Sequence, residues 1–260
     1  MTSLIKPPRI AAPAEKVVTE KTFAEILPAA TEEARRMDAP LSVRLQTVAD
    51  KVRELNPAFA DVIDRLIARL ADNGVGLAAP RPGEPMPPFL LPDETGRLVS
   101  LSSFLETGPV VVSFNRGHWC PYCRLEVDTL ASAEAGIASL GAQIVAISPE
   151  TSAWAAELKA YANAPFHILS DIDGGYALEL NLLFWVGDEA QRALAGAGVD
   201  LAQFQDSDTW TLPIPATFVV GADGIVLARF VDPDYRRRME VEDLLDALRA
   251  AAAARSGQDR

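Results

Sequence analysis

The stretch Phe114-Asn115-Arg116-Gly117-His118-Trp119-Cys120-Pro121-Tyr122-Cys123-Arg124 holds both cysteines of the chain and one of its two histidines. Just before it, Pro109-Val110-Val111-Val112-Ser113-Phe114 is a β-branched run bounded by Gly108 and Gly117, the composition of a buried strand. Just after it, Leu125, Val127, Leu130, Ala133, Ala135 and Ile137 recur at mixed three- and four-residue spacing, which predicts a helix with one face on a sheet. The two cysteines therefore belong to a strand-to-helix turn.

Pro121 suits the first helical position, where its missing N–H would have had no partner, and this makes Cys120 the N-cap. A thiolate there gains from the positive end of the helix dipole and from the donors of the first turn. Its pKa is expected below the free value of about 8.5, so Cys120 is the expected nucleophile. Cys123 follows one turn on, roughly 5–6 Å away, within the separation that a disulfide accepts, and is the expected resolving thiol. Half of a zinc site is a competing reading, but no second such pair exists and His118 and His167 form no paired ligand motif. A structural disulfide and inert core thiols also compete with the redox reading.

At 260 residues, the chain has room for one ordinary domain plus an extension, or two small domains. The formal net charge of −12 disfavours a nucleic-acid groove or an anionic membrane surface as partner and otherwise serves solubility. Met1 to Lys16 lacks the apolar core of a signal peptide, and no later run approaches a membrane span, so the expected location is cytoplasmic. In a reducing compartment a lone cysteine pair is more often catalytic or redox-sensing than a staple. This chemistry calls for no cofactor and no metal.

Met1 to about Glu20 reads as a mobile arm. Leu41, Leu45, Val48, Val52 and Leu55 repeat at helical spacing, Asn56-Pro57 interrupts, and Phe59, Val62, Ile63, Leu66, Ile67 and Leu70 resume the pattern as far as Asn73-Gly74. Residues 1–77 are thus an arm with a helical extension, and residues 78–260 a separate domain. The apolar stripes of the extension are expected to pack on that domain, with a homodimer contact as the alternative.

The proline-rich stretch Ala78 to Pro92 marks a linker, and Phe89 to Asp93 with Leu98 to Leu101 suggest a hairpin. Ser102 and Ser103 are candidate caps for a brief helix through Leu105. Ala142 to Ser148 reads as a second buried strand, Thr151 to Asn163 as a helix, Phe166 to Leu169 as a short strand and Asp171 to Leu182 as a helix. Such alternation calls for parallel pairing with right-handed crossovers. His167 alternates with apolar neighbours and reads as a strand residue. Phe184 to Leu212 is irregular, a candidate specificity loop or lid. Ala216 to Gly221 and Ile225 to Val231 form a hairpin about Ala222-Asp223-Gly224, and Val241, Leu244, Leu245 and Leu248 line a final helix. Arg236-Arg237-Arg238 before it reads as a solvated turn, with an acidic partner as the alternative.

Three motifs together resemble the alkyl hydroperoxide reductase and thiol-specific antioxidant family, and more narrowly its peroxiredoxin-like members. They are Pro87-x-Phe89-x-Leu91-Pro92-Asp93-x-x-Gly96, Phe114 to Cys123, and Ile214-Pro215-Ala216-Thr217-Phe218-Val219-Val220 with Asp223-Gly224. The resemblance spans roughly Ala78 to Ala250 and implies a thioredoxin-like α/β fold, a central mixed sheet flanked by helices, with extra N-terminal strands. Peroxiredoxins carry a Thr three residues before the peroxidatic cysteine, where this chain has Gly117. They also carry an Arg just before the Ala/Ser-Thr-Phe strand, where it has Pro215. Those groups would orient the peroxide and stabilise the thiolate. Cys-Pro-Tyr-Cys with a distant Ile-Pro-Ala-Thr also resembles thioredoxins and glutaredoxins, which implies a cis Ile214-Pro215 bond facing the cysteines.

Two enzymatic readings follow. In the first, Cys120 reduces a hydroperoxide, Cys123 resolves the sulfenic acid, and thioredoxin or glutathione recycles the disulfide. Arg116, His118 or Arg124 would then supply the cation and donors missing at Gly117 and Pro215, in a site framed by Trp119, Pro121 and Tyr122. In the second, the same cysteines exchange with a protein or glutathione disulfide, and Pro215 helps to hold an extended substrate backbone. A redox-sensing module is a third, non-enzymatic reading. The local motif favours the second and the whole-domain resemblance the first, which is the reading preferred.

Overall fold

The β-branched run at Val110–Phe114 is a strand buried along its whole length, as its unbroken apolar composition requires. The computed structural model describes residues 23–258, with side chains described over 26–254. The expected arm from Met1 to Glu20 lies outside the described residues.

Three helices come first: α1 (Phe23–Arg35), α2 (Leu41–Leu55) and α3 (Pro57–Asp72). The hairpin β1 (Leu90–Pro92) and β2 (Leu98–Ser100) leads through α4 (Leu101–Leu105) into β3 (Val110–Phe114). Then follow α5 (Pro121–Ser139), β4 (Gln143–Ser148), α6 (Ser152–Ala162), β5 (His167–Ser170) and α7 (Gly175–Glu179). The last third runs through β6 (Leu183–Trp185), α8 (Asp188–Gly196), α9 (Leu201–Gln205), β7 (Thr211–Pro213), β8 (Ala216–Val220), β9 (Val226–Val231) and α10 (Val241–Gln258).

The main sheet has five strands in the order β5-β4-β3-β8-β9. β3 pairs parallel with β4, and β4 with β5, as the strand-helix alternation predicts; β8 and β9 close the other side antiparallel. Successive residues of β3 feed opposite faces. Val110, Val112 and Phe114 pack with Phe89, Phe104, Tyr176 and Phe218, while Val111 packs with Val127, Leu158 and Leu244 from α5, α6 and α10. This is a thioredoxin-like α/β fold with an N-terminal helical region.

The extension packs on the domain. Leu41, Leu45, Val48 and Val52 of α2 share a core with Tyr122, Cys123 and Leu125 of α5. Asp128 on α5 ties the contact down, accepting from Arg35 Nε at 2.8 Å and Arg44 Nη2 at 3.1 Å. The Asn56-Pro57 break is a helix start: Asn56 Oδ1 accepts the Phe59 N–H at 3.0 Å and Pro57 opens α3.

Several expectations change. The brief helix is capped by Ser100, whose Oγ accepts from the Ser103 N–H, and not by Ser102 or Ser103. Asp171 to Leu182 is a 3-10 turn at Ile172–Gly174 followed by the short α7, because the Asp171 carboxylate takes the Tyr176 and Ala177 N–H groups and starts a new helix there. The irregular Phe184–Leu212 region contains α8 and α9 under a β6-β7 clip. Its apolar residues Ala190, Leu194 and Leu201 are buried against Leu66 and Leu70 of α3, a periodicity too short to stand out alone. The expected cis Ile214-Pro215 bond is trans: the described residues contain no cis peptide, and the Ile214 N–H donates to Leu182 O as the chain runs extended from β7 into β8.

Candidate active site

β3 delivers the chain to the carboxyl edge of the sheet, and the loop after it turns into α5 with Cys120 at the N-cap and Pro121 as the first helical residue. Cys120 is 1 % exposed and Cys123 0 %, and both are free thiols. The expected support from the first turn of α5 comes from Cys123, whose backbone N–H and thiol both act to lower the Cys120 thiol. Burial pushes the Cys120 thiol up, yet the hydrogen bond from the Cys123 thiol and the Arg116 and Arg238 charges outweigh it and bring the group down to about 6. Burial and the neighbouring Cys120 push Cys123 well above its ordinary value. Of the pair, Cys120 is the more acidic thiol.

Cys123 Sγ accepts the Arg116 backbone N–H at 3.3 Å and faces Arg238 Nη2 at 3.6 Å. Arg238 is the main departure from the expectation that Arg236 to Arg238 form a solvated turn. Arg237 is solvated and pairs with Asp232, whereas Arg236 turns back on Asp234 and Asp64. Arg238 is buried and donates from Nε to Glu126 Oε2 at 2.6 Å. Glu126 Oε1 also takes the hydroxyls of Ser113 and Thr217, each at 3.3 Å. Burial raises the Glu126 carboxyl above its usual range, and Arg238 opposes that. A charged residue three positions after Cys123, between buried Leu125 and Val127, is the one sequence signal for this pair.

Arg116 is buried and stacked, its guanidinium 3.8 Å from the Tyr235 ring centroid and 4.8 Å from that of Trp119. Gly117 has φ +135°, and a Cβ there would meet the Glu150 carboxyl at 2.5 Å and Trp119 Nε1 at 2.8 Å. No threonine fits at this position. Glu150, which no motif singles out, is fully buried; its Oε2 accepts the His118 N–H and its Oε1 lies 2.7 Å from His118 Nδ1. Arg124 does not reach into this pair with its charge: its Nε donates to His118 O and its guanidinium lies over Tyr161.

A cavity of about 320 Å³ opens onto Cys120 and is bordered by Arg116, His118, Trp119, Pro121, Tyr122 and Arg124. Leu27 and Thr31 of α1, Val52 of α2 and Phe59 of α3 complete one wall, Leu194 of α8 another. Of the predicted site residues, Arg116, His118, Trp119, Cys120, Pro121, Tyr122 and Arg124 border this one cavity. Pro215 does not: it is buried and off the cavity wall. Asp93, Glu94 and His167 also cluster elsewhere, but Lys159 already neutralises Glu94 and Asp93 is engaged by Thr95 and Arg97, so the group pins the β1-β2 hairpin to β5. His167 is the strand residue expected. Among the described residues no helix is long and apolar enough to cross a membrane.

Solved structures share this fold. The peroxidoxin BcpB of Mycobacterium tuberculosis is 24% identical, with a TM-score of 0.52 over 66% of this chain and 97% of its own. A yeast mitochondrial 1-Cys peroxiredoxin is 14% identical, with a TM-score of 0.52 over 68% of this chain and 78% of its own. The Plasmodium vivax 2-Cys peroxiredoxin, in its reduced form, is 18% identical, with a TM-score of 0.51 over 67% of this chain and 83% of its own. No curated protein matches the chain. Residues 82–229, more than half of the sequence and all of the strand-to-helix turn, match the AhpC/TSA family, and the chain belongs to that family.

Proposed function

We propose that this protein is a thiol peroxidase that uses Cys120 as peroxidatic and Cys123 as resolving thiol. The observation that carries the reading is the Cys120 thiol at the start of α5 on the wall of a cavity, with Cys123 one turn behind it and Arg238 against Cys123 Sγ. The Cys120 thiolate attacks the terminal oxygen of a hydroperoxide; an S–O bond forms, the O–O bond breaks, and an alkoxide or hydroxide leaves and is protonated. Once Cys120 is a neutral sulfenic acid, the like charge that held Cys123 protonated is gone. Arg238 and the Arg116 N–H then support a Cys123 thiolate, which attacks the Cys120 sulfur and releases water as the disulfide closes.

Arg116 takes the role of the cation that Pro215 replaces, and Trp119, Pro121, Tyr122 and Arg124 shape the site around it. In this reading residues 78–260 are the catalytic domain, and the extension within residues 1–77 closes its cavity. In a cytoplasmic setting thioredoxin or glutathione would return the disulfide to thiols, the systems named for thiol resolution in the yeast 1-Cys enzyme. The disulfide-exchange reading loses support from Pro215, whose burial denies it to a substrate backbone.

The test replaces Cys123 by Ser and offers the protein hydrogen peroxide, cumene hydroperoxide or a disulfide-bonded protein. The reading expects a trappable sulfenic acid on Cys120, formed at least ~100-fold faster than on free cysteine, since positioned electrostatics contribute on that scale. A mixed disulfide with the protein substrate and peroxide chemistry no faster than free cysteine would make it a disulfide oxidoreductase.

A further inference from the structure

We infer that His118, held by Glu150, is the general acid that protonates the oxygen leaving from the hydroperoxide. This rests on the peroxidase reading above and adds to it the source of the proton, which the thiolate cannot supply.

Three observations converge. Glu150 is fully buried, and its described hydrogen-bond partners are the backbone N–H and ring Nδ1 of His118, each at 2.7 Å. A carboxylate taken out of water is costly unless a donor or cation answers it, so this contact is a built arrangement. Second, the ring is immobilised: it stacks on Trp154 with centroids 4.3 Å apart and meets Phe204 edge-on at 4.9 Å. Third, with Nδ1 committed to Glu150, Nε2 is the ring's remaining nitrogen, and the ring borders the same cavity as Cys120, two residues away. A carboxylate on Nδ1 fixes the orientation of the ring and leaves Nε2 as the nitrogen open to a reactant.

Gly117 ties these together. The space that a side chain at 117 would need is occupied by the Glu150 carboxyl, so a hydroxyl-bearing residue at 117 and this Glu150–His118 contact exclude one another. Of the charged groups, Glu150 from the turn after β4 and Arg124 from α5, whose Nε is bound to His118 O, touch His118, and Arg116 lines the same cavity; α6 and α9 contribute the Trp154 and Phe204 rings.

In the proposed step Cys120 S⁻ bonds to the terminal oxygen of R–O–O–H, the O–O bond breaks with its electron pair on R–O, and that oxygen takes the proton from imidazolium Nε2. Neutral His118, still donating from Nδ1 to Glu150, is reprotonated by solvent through the cavity. Cys120 is oxidised to sulfenic acid and the peroxide is reduced to R–OH.

The test uses leaving groups of different basicity. An alkoxide from tert-butyl hydroperoxide needs a proton; acetate from peroxyacetic acid does not. In the full-length Cys123→Ser background, adding His118→Gln is expected to slow oxidation of Cys120 by tert-butyl hydroperoxide ~100-fold, the ordinary scale of general acid catalysis, with less than ~3-fold change for peroxyacetic acid. Glu150→Gln, which keeps the shape, should give the same pattern at a smaller amplitude. Equal slowing with both oxidants, or none with either, overturns the inference while leaving the peroxidase reading in place. A His118-intact protein inert to both oxidants overturns both.

Discussion

Arg238 joins the two halves of the site: its Nη2 lies 3.6 Å from Cys123 Sγ and its Nε lies 2.6 Å from Glu126 Oε2. Removing the cation leaves a buried carboxylate without its partner. Arg238→Met is expected to destabilise the protein by ~3–5 kcal/mol in urea unfolding. Adding Glu126→Gln should recover much of that loss without restoring the acidity of Cys120, because the second change answers the carboxylate and not the thiolate.

The depressed Cys120 thiol makes folding stability depend on pH. A group whose native pKa lies below its unfolded value contributes fully above the unfolded value of about 8.5, and the contribution fades as pH falls toward its native value. Under reducing conditions the wild type should gain stability relative to Cys120→Ser between about pH 6 and 8.5. Parallel stability curves for the two proteins across that window would place the thiol pKa near its ordinary value.

Gly117 holds a conformation and a space that no other residue can share. Gly117→Ala should cost ~1–3 kcal/mol from backbone strain alone, with more from displacing the Glu150 carboxyl. Thermal unfolding measures the cost. Restoring the family's threonine should do at least as much harm, the opposite of what a consensus substitution usually gives.

Asp128 is the clamp between the extension and α5. Asp128→Asn weakens its pairing to both Arg35 and Arg44. The expected result is a loss of ~1–3 kcal/mol and faster alkylation of Cys120, since α1 and α2 supply part of the cavity wall. Unchanged alkylation would detach the extension from the site.

Legibility in the amino-acid sequence follows the range of the interactions. The strand-turn-helix unit, the N-cap at Cys120, the Asn56-Pro57 helix break and the closing hairpin are local patterns of period and turn chemistry, and they appear where the residues put them. Arg238 sits in a charge run that looks solvated unless its buried acceptor, Glu126, is known to lie across the fold. Glu150 is invisible for the same reason, 32 residues from its partner. α8 and α9 escape notice because short helices owe their stability to the α3 surface they cover, and Pro215 changes meaning once the chain around it proves extended.

The central claim is that Cys120 rests as a thiolate, and the most direct measurement is the pH dependence of its alkylation by iodoacetamide, followed on the Cys120 peptide by mass spectrometry. The account predicts a midpoint at about 6 with Cys123 unlabelled over the same range. A Cys120 midpoint at or above the free-thiol value of about 8.5 would contradict it.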